Sequence, residues 1–140
     1  MECSIESALA RLSGEAAWLA PLASRATDDG ALLVRVGPSG LGGLAVEVRV
    51  ELGECSRRGT GAFVPIRWQA ARASSLFPVL DGDLEVMPLT PTLCRLALRG
   101  TYRTPLDGAG HLLDTAVLHR VAESTVRSFL RRVAESLAAG

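Results

Sequence analysis

The chain has no lysine: all 15 basic residues among its 140 are arginine. A Schiff-base lysine and the lysine of a phosphate-binding P-loop are therefore excluded. Arginine serves a solvated surface as well as lysine does, and its planar fork also suits bidentate anion contacts. Charge surplus is missing too, since 15 acidic residues balance the basic ones. Nucleic-acid binders carry a basic excess, so no nucleic-acid partner is expected. Cysteine is scarce, and Cys3, Cys55 and Cys94 lie far apart in an odd number. They lack the paired spacing of a zinc site, so the reading is three free thiols in a reducing, cytoplasmic compartment, with no metal and no cofactor. No apolar run is long enough to cross a membrane, and the acidic start MECSIESALARLSG lacks the basic n-region of a signal peptide. Catalytic signatures are absent as well: there is no HExxH, no GxSxG and no glycine-rich phosphate loop.

What the chain does have is apolar mass. Apolar residues make up 48% and charged residues 21% of the sequence. That supports a core in a single domain over 1–140 and is too little charge for a disordered chain.

Residues 1–27 read as a helical start. Ile5, Leu9, Leu12, Ala16 and Leu19 recur at helical spacing behind Ser4, a fitting N-cap, while Gly14 and Pro21 interrupt the pattern. Residues 31–103 then read as an antiparallel meander of about five strands. Val46, Val48, Val50 and Leu52 alternate with Glu47, Arg49 and Glu51, and Val64, Ile66 and Trp68 share one face of the next strand. Leu76 to Pro88 reads as one strand bent at Asp81-Gly82-Asp83, and Gly53 to Gly61 as a turn. The last strand, Leu93 to Tyr102, sets Cys94, Leu96, Leu98 and Tyr102 opposite Arg95, Arg99 and Thr101. Strands apolar on one face and charged on the other form antiparallel sheets with a wet side. A long helix over 111–139 closes the chain, carrying Leu113, Val117, Val121, Phe129, Val133 and Leu137 as one stripe. The fold class is α+β.

Few residues carry chemistry. Trp68 and Tyr102 face inward, where each is either a core aromatic or the lining of a cavity. Asp81 and Asp83 are two apart, a spacing that serves acid–base work or a hard cation, but Asp-Gly-Asp reads more simply as turn chemistry. His119 has no acid one turn before it and has Glu123 four residues after, which makes a surface pair rather than a catalytic one. Arg57, Arg58, Arg131 and Arg132 read as solvated surface. No residue is assigned a catalytic role.

The segments Val64-Pro65-Ile66-Arg67-Trp68-Gln69-Ala70, Leu76-Phe77-Pro78-Val79-Leu80-Asp81-Gly82-Asp83-Leu84, Gly100-Thr101-Tyr102-Arg103-Thr104-Pro105-Leu106 and Leu113 through Ala122 carry a resemblance. Together, in this order, they resemble the SRPBCC superfamily of START and birch-pollen-allergen-like domains, and in particular its small actinobacterial members. The resemblance runs from about Leu44 to the C-terminus. It implies a helix-grip-like fold, a curved antiparallel sheet wrapped on the long last helix with an apolar cavity between them. The family opens with a strand before its helices; no such strand is evident here, so the fold is expected to be shortened and to leave a free sheet edge.

From that resemblance follows a binding module for a hydrophobic small molecule or lipid. The lining residues are Val48, Val64, Ile66, Trp68, Leu96, Leu98, Tyr102, Val117 and Val121, with Trp68, Tyr102 and Arg103 as polar anchors. An interaction or regulatory protein with a reduced cavity is the alternative, and a polyketide cyclase or dehydratase-like enzyme is a second. A free sheet edge and a broad apolar helix stripe further predict a homodimer.

Overall fold

Ser4 caps the first helix as its spacing predicts. In a computed structural model of the chain its hydroxyl accepts from the backbone N–H of Ser7 at 3.1 Å, opening α1 (Ile5–Leu12). The structure describes residues 1–14, 16–29, 31–38, 45–72, 78–103 and 115–139, with only the backbone described for 115–119. Helical spacing puts Ala8 and Leu12 on one side of α1, and both are buried.

The expected second stretch of helix is instead a single 3₁₀ turn, Ala20–Leu22, with Pro21 in it. Proline fits a helix start but cannot accept a continuing ladder, and the chain leaves the turn as a strand, β1 (Ala23–Ala26). The meander continues through β2 (Leu32–Val36), β3 (Val46–Leu52), β4 (Ser56–Arg58), β5 (Gly61–Ala70), β6 (Val79–Thr90) and β7 (Leu93–Arg103). All neighbours pair antiparallel in the order β1-β2-β3-β5-β6-β7, with β4 paired to β5. The sheet thus has seven strands, not about five. The two additions are β1, read as helix, and β4, read as part of a turn that closes at Gly59 with φ +59°.

Asp81-Gly82-Asp83 is neither a bulge nor a corner. It runs in register through the middle of β6, Gly82 lying between Ile66 of β5 and Gly100 of β7. A Cβ on Gly82 would lie 2.2 Å from the carbonyl oxygen of Arg99, and one on Gly100 would lie 2.4 Å from that of Asp81. Each missing side chain would collide with the opposite backbone. The glycine pair permits this close approach of β6 and β7.

The free edge is covered at one end. Cys3 N–H donates to Thr92 O at 3.0 Å and Cys94 N–H to Met1 O at 3.0 Å, so residues 1–3 add a short antiparallel contact beside β7 before α1 begins.

Helix α2 (Thr115–Ala138) spans 24 residues, about 36 Å at the usual rise. Residues 111–114, read as its first turn, lie outside the described residues. Phe129, Val133 and Leu137, four apart, are buried, while Val126 and Leu130 beside them are half-buried. The helix packs against β7, β2 and the 3₁₀ turn. Among the described residues no helix is long and apolar enough to cross a membrane.

Candidate functional site

Strand alternation and register together put one row of side chains across the inner face: Val50, Trp68, Leu80 and Tyr102 are successive partners on β3, β5, β6 and β7. A second row joins Val64, Leu84 and Leu98, and a third joins Ala62, Val86 and Leu96. The sequence-predicted lining residues of the sheet thus share one face.

They do not share one environment. Val48, Val64, Ile66 and Trp68 are at most 4% exposed and belong to the main core with Phe129, Val133 and Leu137. The Phe129 and Trp68 rings meet in a T-shaped pair at 5.1 Å between centroids and 78° between planes. Such edge-to-face contacts add to the area term, and they leave these residues as packing. Leu96, Leu98 and Tyr102 are only half-buried against that core, and Val121 is half-buried as well. Val117 lies among the residues whose side chains are not described, as does His119.

Tyr102 is the polar feature of this half. Its ring sits 6.3 Å from Trp68, tilted by 58°. Its hydroxyl is buried and has no hydrogen-bond partner among the described residues. Burial also raises its pKa, so the group stays a neutral donor across the physiological range. Arg103, the next residue, points the other way and pairs with Asp81 on the outer face, so it is no inner anchor. Beside Tyr102 the inner face carries no side chains at Gly82 and Gly100, a bare strip between Leu98 and Tyr102.

No family model, no curated protein and no solved structure matches the chain.

The outer face is a lattice of ion pairs. Arg67 and Arg103 both reach Asp81, Arg99 reaches Glu85 at 3.0 Å, and Arg25 reaches Glu47 at 3.3 Å. Asp81 is thereby a surface partner in mid-strand, and neither it nor Asp83 serves a turn. Exposed pairs of this sort contribute little stability each, but they keep one side of the sheet wet. Among the described residues no polar or charged residue is buried, and no group of three or more His, Cys, Asp or Glu is placed to hold a metal. Cys3, Cys55 and Cys94 are free thiols, and desolvation pushes the Cys94 thiol up.

The arginines read as plain surface divide. Arg57 pairs with Glu6 at 3.1 Å, and Arg58 lies 5.2 Å over the Phe63 ring. Arg132 is half-buried and donates to Arg35 O at 2.9 Å and Leu22 O at 3.2 Å. It is a clamp between α2, β2 and the 3₁₀ turn. No sequence signal marks it, because the carbonyls it meets come from segments about a hundred residues away. Among the described residues the one exposed large hydrophobic side chain is Leu89, and the start of the helix stripe invoked for a homodimer, Leu113 to Val117, lies outside the described side chains.

Proposed function

We propose that the protein binds a hydrophobic small molecule or lipid on the inner face of a helix-grip-like fold, between β6–β7 and the first half of α2. The observation that carries this reading is the Tyr102 hydroxyl, buried with no partner among the described residues on the same strand face as half-buried Leu96 and Leu98. An unpaired buried hydroxyl costs about 1–3 kcal/mol, and a ligand acceptor in its reach recovers that cost. Apolar walls with one or two polar anchors are the usual make-up of such sites. Trp68 forms the closed end of the site, Tyr102 the anchor, and the Gly82–Gly100 strip the floor. Val48, Val64 and Ile66 support it from the core without touching the ligand.

A non-catalytic role agrees with the chemistry at hand, because among the described residues no acidic or basic side chain is buried beside the Tyr102 hydroxyl. The reading of an interaction protein with a reduced cavity has its own support in the tight packing of Val64, Ile66 and Trp68, each at most 2% exposed.

The test uses Trp68 as reporter. In a Trp18→Phe background, titration with the neutral probe N-phenyl-1-naphthylamine is expected to quench Trp68 and saturate at one probe per chain. Tyr102→Phe should weaken a ligand bearing a carbonyl acceptor and leave a pure hydrocarbon unaffected. Linear, unsaturable uptake, or saturation untouched by Leu98→Arg, sinks the proposal in favour of the reduced-cavity reading.

A further inference from the structure

A recess of about 610 Å³ lies between the 3₁₀ turn, the end of α1 and the last turns of α2. Its floor is apolar, formed by buried Trp18 and Leu22, with exposed Ala17, Pro21 and Ala139 at its edge. Its rim is charged: Arg11 and Arg132 stand on it with Glu135 and Ser136. From these residues we infer a second binding site, one that takes a small amphiphile with a carboxylate head and an apolar tail.

Three observations converge on that chemistry. Trp18 is 4% exposed, and its indole N–H is buried with no acceptor among the described residues. The two guanidinium groups are held in place by main chain: Arg11 Nη1 donates to Leu137 O at 2.6 Å, and Arg132 donates to Leu22 O at 3.2 Å and Arg35 O at 2.9 Å. Each bond uses part of a five-donor fork, so further N–H groups remain on cations whose position is already fixed. Ser136 donates to Trp18 O at 2.6 Å, which ties the floor to α2 and leaves the indole lining the recess. A carboxylate oxygen would supply the acceptor the indole lacks while lying against two preplaced positive charges. Glu135, exposed on the same rim, opposes it, and among the described residues two arginines stand on the rim against one glutamate.

The site is independent of the inner-face reading, since its lining includes neither Trp68 nor Tyr102. Calorimetric titration of the full chain with sodium decanoate, kept below its micelle concentration, tests it against decanol. Saturable binding of decanoate is expected, with decanol about tenfold weaker because the head group is read by charge-assisted hydrogen bonds. Arg132→Gln should weaken decanoate by a similar factor, but it also removes the clamp on Leu22 and Arg35 and can loosen the fold. Glu135→Gln carries no such risk and should tighten binding about threefold through the lost repulsion. Trp18→Phe should weaken decanoate and leave the thermal midpoint level or higher, since it deletes an unpaired donor. Tyr102→Phe should change nothing. Equal affinity for decanol, no tightening in Glu135→Gln, or loss of binding in Tyr102→Phe each overturns the assignment. So does binding to anionic vesicles without binding of monomeric decanoate.

Discussion

The two ends of the inner face are built from the same alternating strands, yet packing is complete at one and unfinished at the other. Trp68 packs against Phe129 of α2 and belongs to one buried core with Val133 and Leu137 of that helix and Leu12 and Trp18 of the N-terminal segments. On the Tyr102 side Leu96 and Leu98 are only half-buried, and the hydroxyl has no partner among the described residues. Burial of apolar area drives the first arrangement and fixes the fold. The second gives up part of that stabilisation, and that is where a ligand has something to add.

The sharpest way to break this contrast is to delete a side chain at each end. Phe129→Ala removes a ring that is 1% exposed and touches Trp68. It should cost about 3–5 kcal/mol in urea unfolding at constant slope. Leu98→Ala on the half-buried side should cost less than about 2 kcal/mol, because less area is lost and the site can relax. Equal losses would mean that the Tyr102 end is core as well.

Next in size is the glycine pair that shapes the floor. Gly100→Ala places a methyl 2.4 Å from the Asp81 carbonyl oxygen and 2.8 Å from Gly82 Cα, and backbone cannot step aside as a side chain can. The expected loss is about 1–3 kcal/mol, the range found for overpacking. If the bare strip is also the floor of the site, affinity for N-phenyl-1-naphthylamine should fall more than stability does.

Much of this architecture was legible in the residues. Alternation in β3 and β5 gave the correct inward faces, and the register joined them into rows as the alternation implied. Two strands escaped because they carry no alternation: β1 is Ala-Ser-Arg-Ala and β4 is Ser-Arg-Arg. Each forms because a neighbour offers a ladder, which is tertiary context overriding local preference. Asp81-Gly82-Asp83 misled for the converse reason. Its composition is that of a turn, but β5 and β7 flank it on both sides and salt bridges hold Asp81 in place. The inward direction of Trp68 and Tyr102 was readable, whereas their burial was not, since it depends on where α2 places Phe129. The recess beside Trp18 left no trace in the sequence at all. It is assembled from Arg11, Trp18 and Arg132, and only the folded chain brings them together.

Tyr102→Phe sets the contrast at single-atom level. Removing a hydroxyl that has no partner among the described residues should leave stability level with the parent or raise it by up to about 1–3 kcal/mol. A clear loss in thermal midpoint would show that the hydroxyl has a structural acceptor and that the site is closed.

The smallest effect belongs to the wet face, which serves as the control for both ends. The Thr27 hydroxyl bonds Asp29 and the Arg49 guanidinium pairs with it, lowering its pKa from 3.8 to about 2. A carboxylate whose pKa is depressed by folding contributes stability that is fully present above the unfolded value. That contribution fades as pH falls through the window from about 4 to about 2. The group is fully exposed, so solvent and salt screen the interaction and the contribution is small. Urea midpoints taken between pH 5 and 2 should therefore fall slightly more steeply for the parent than for Asp29→Asn, and the difference should shrink in 1 M salt. Probe binding at the Tyr102 end should be indifferent to this substitution at pH 7. If Asp29→Asn alters that binding, the two faces of the sheet are coupled, and the division between a wet outer face and a half-finished inner one does not hold.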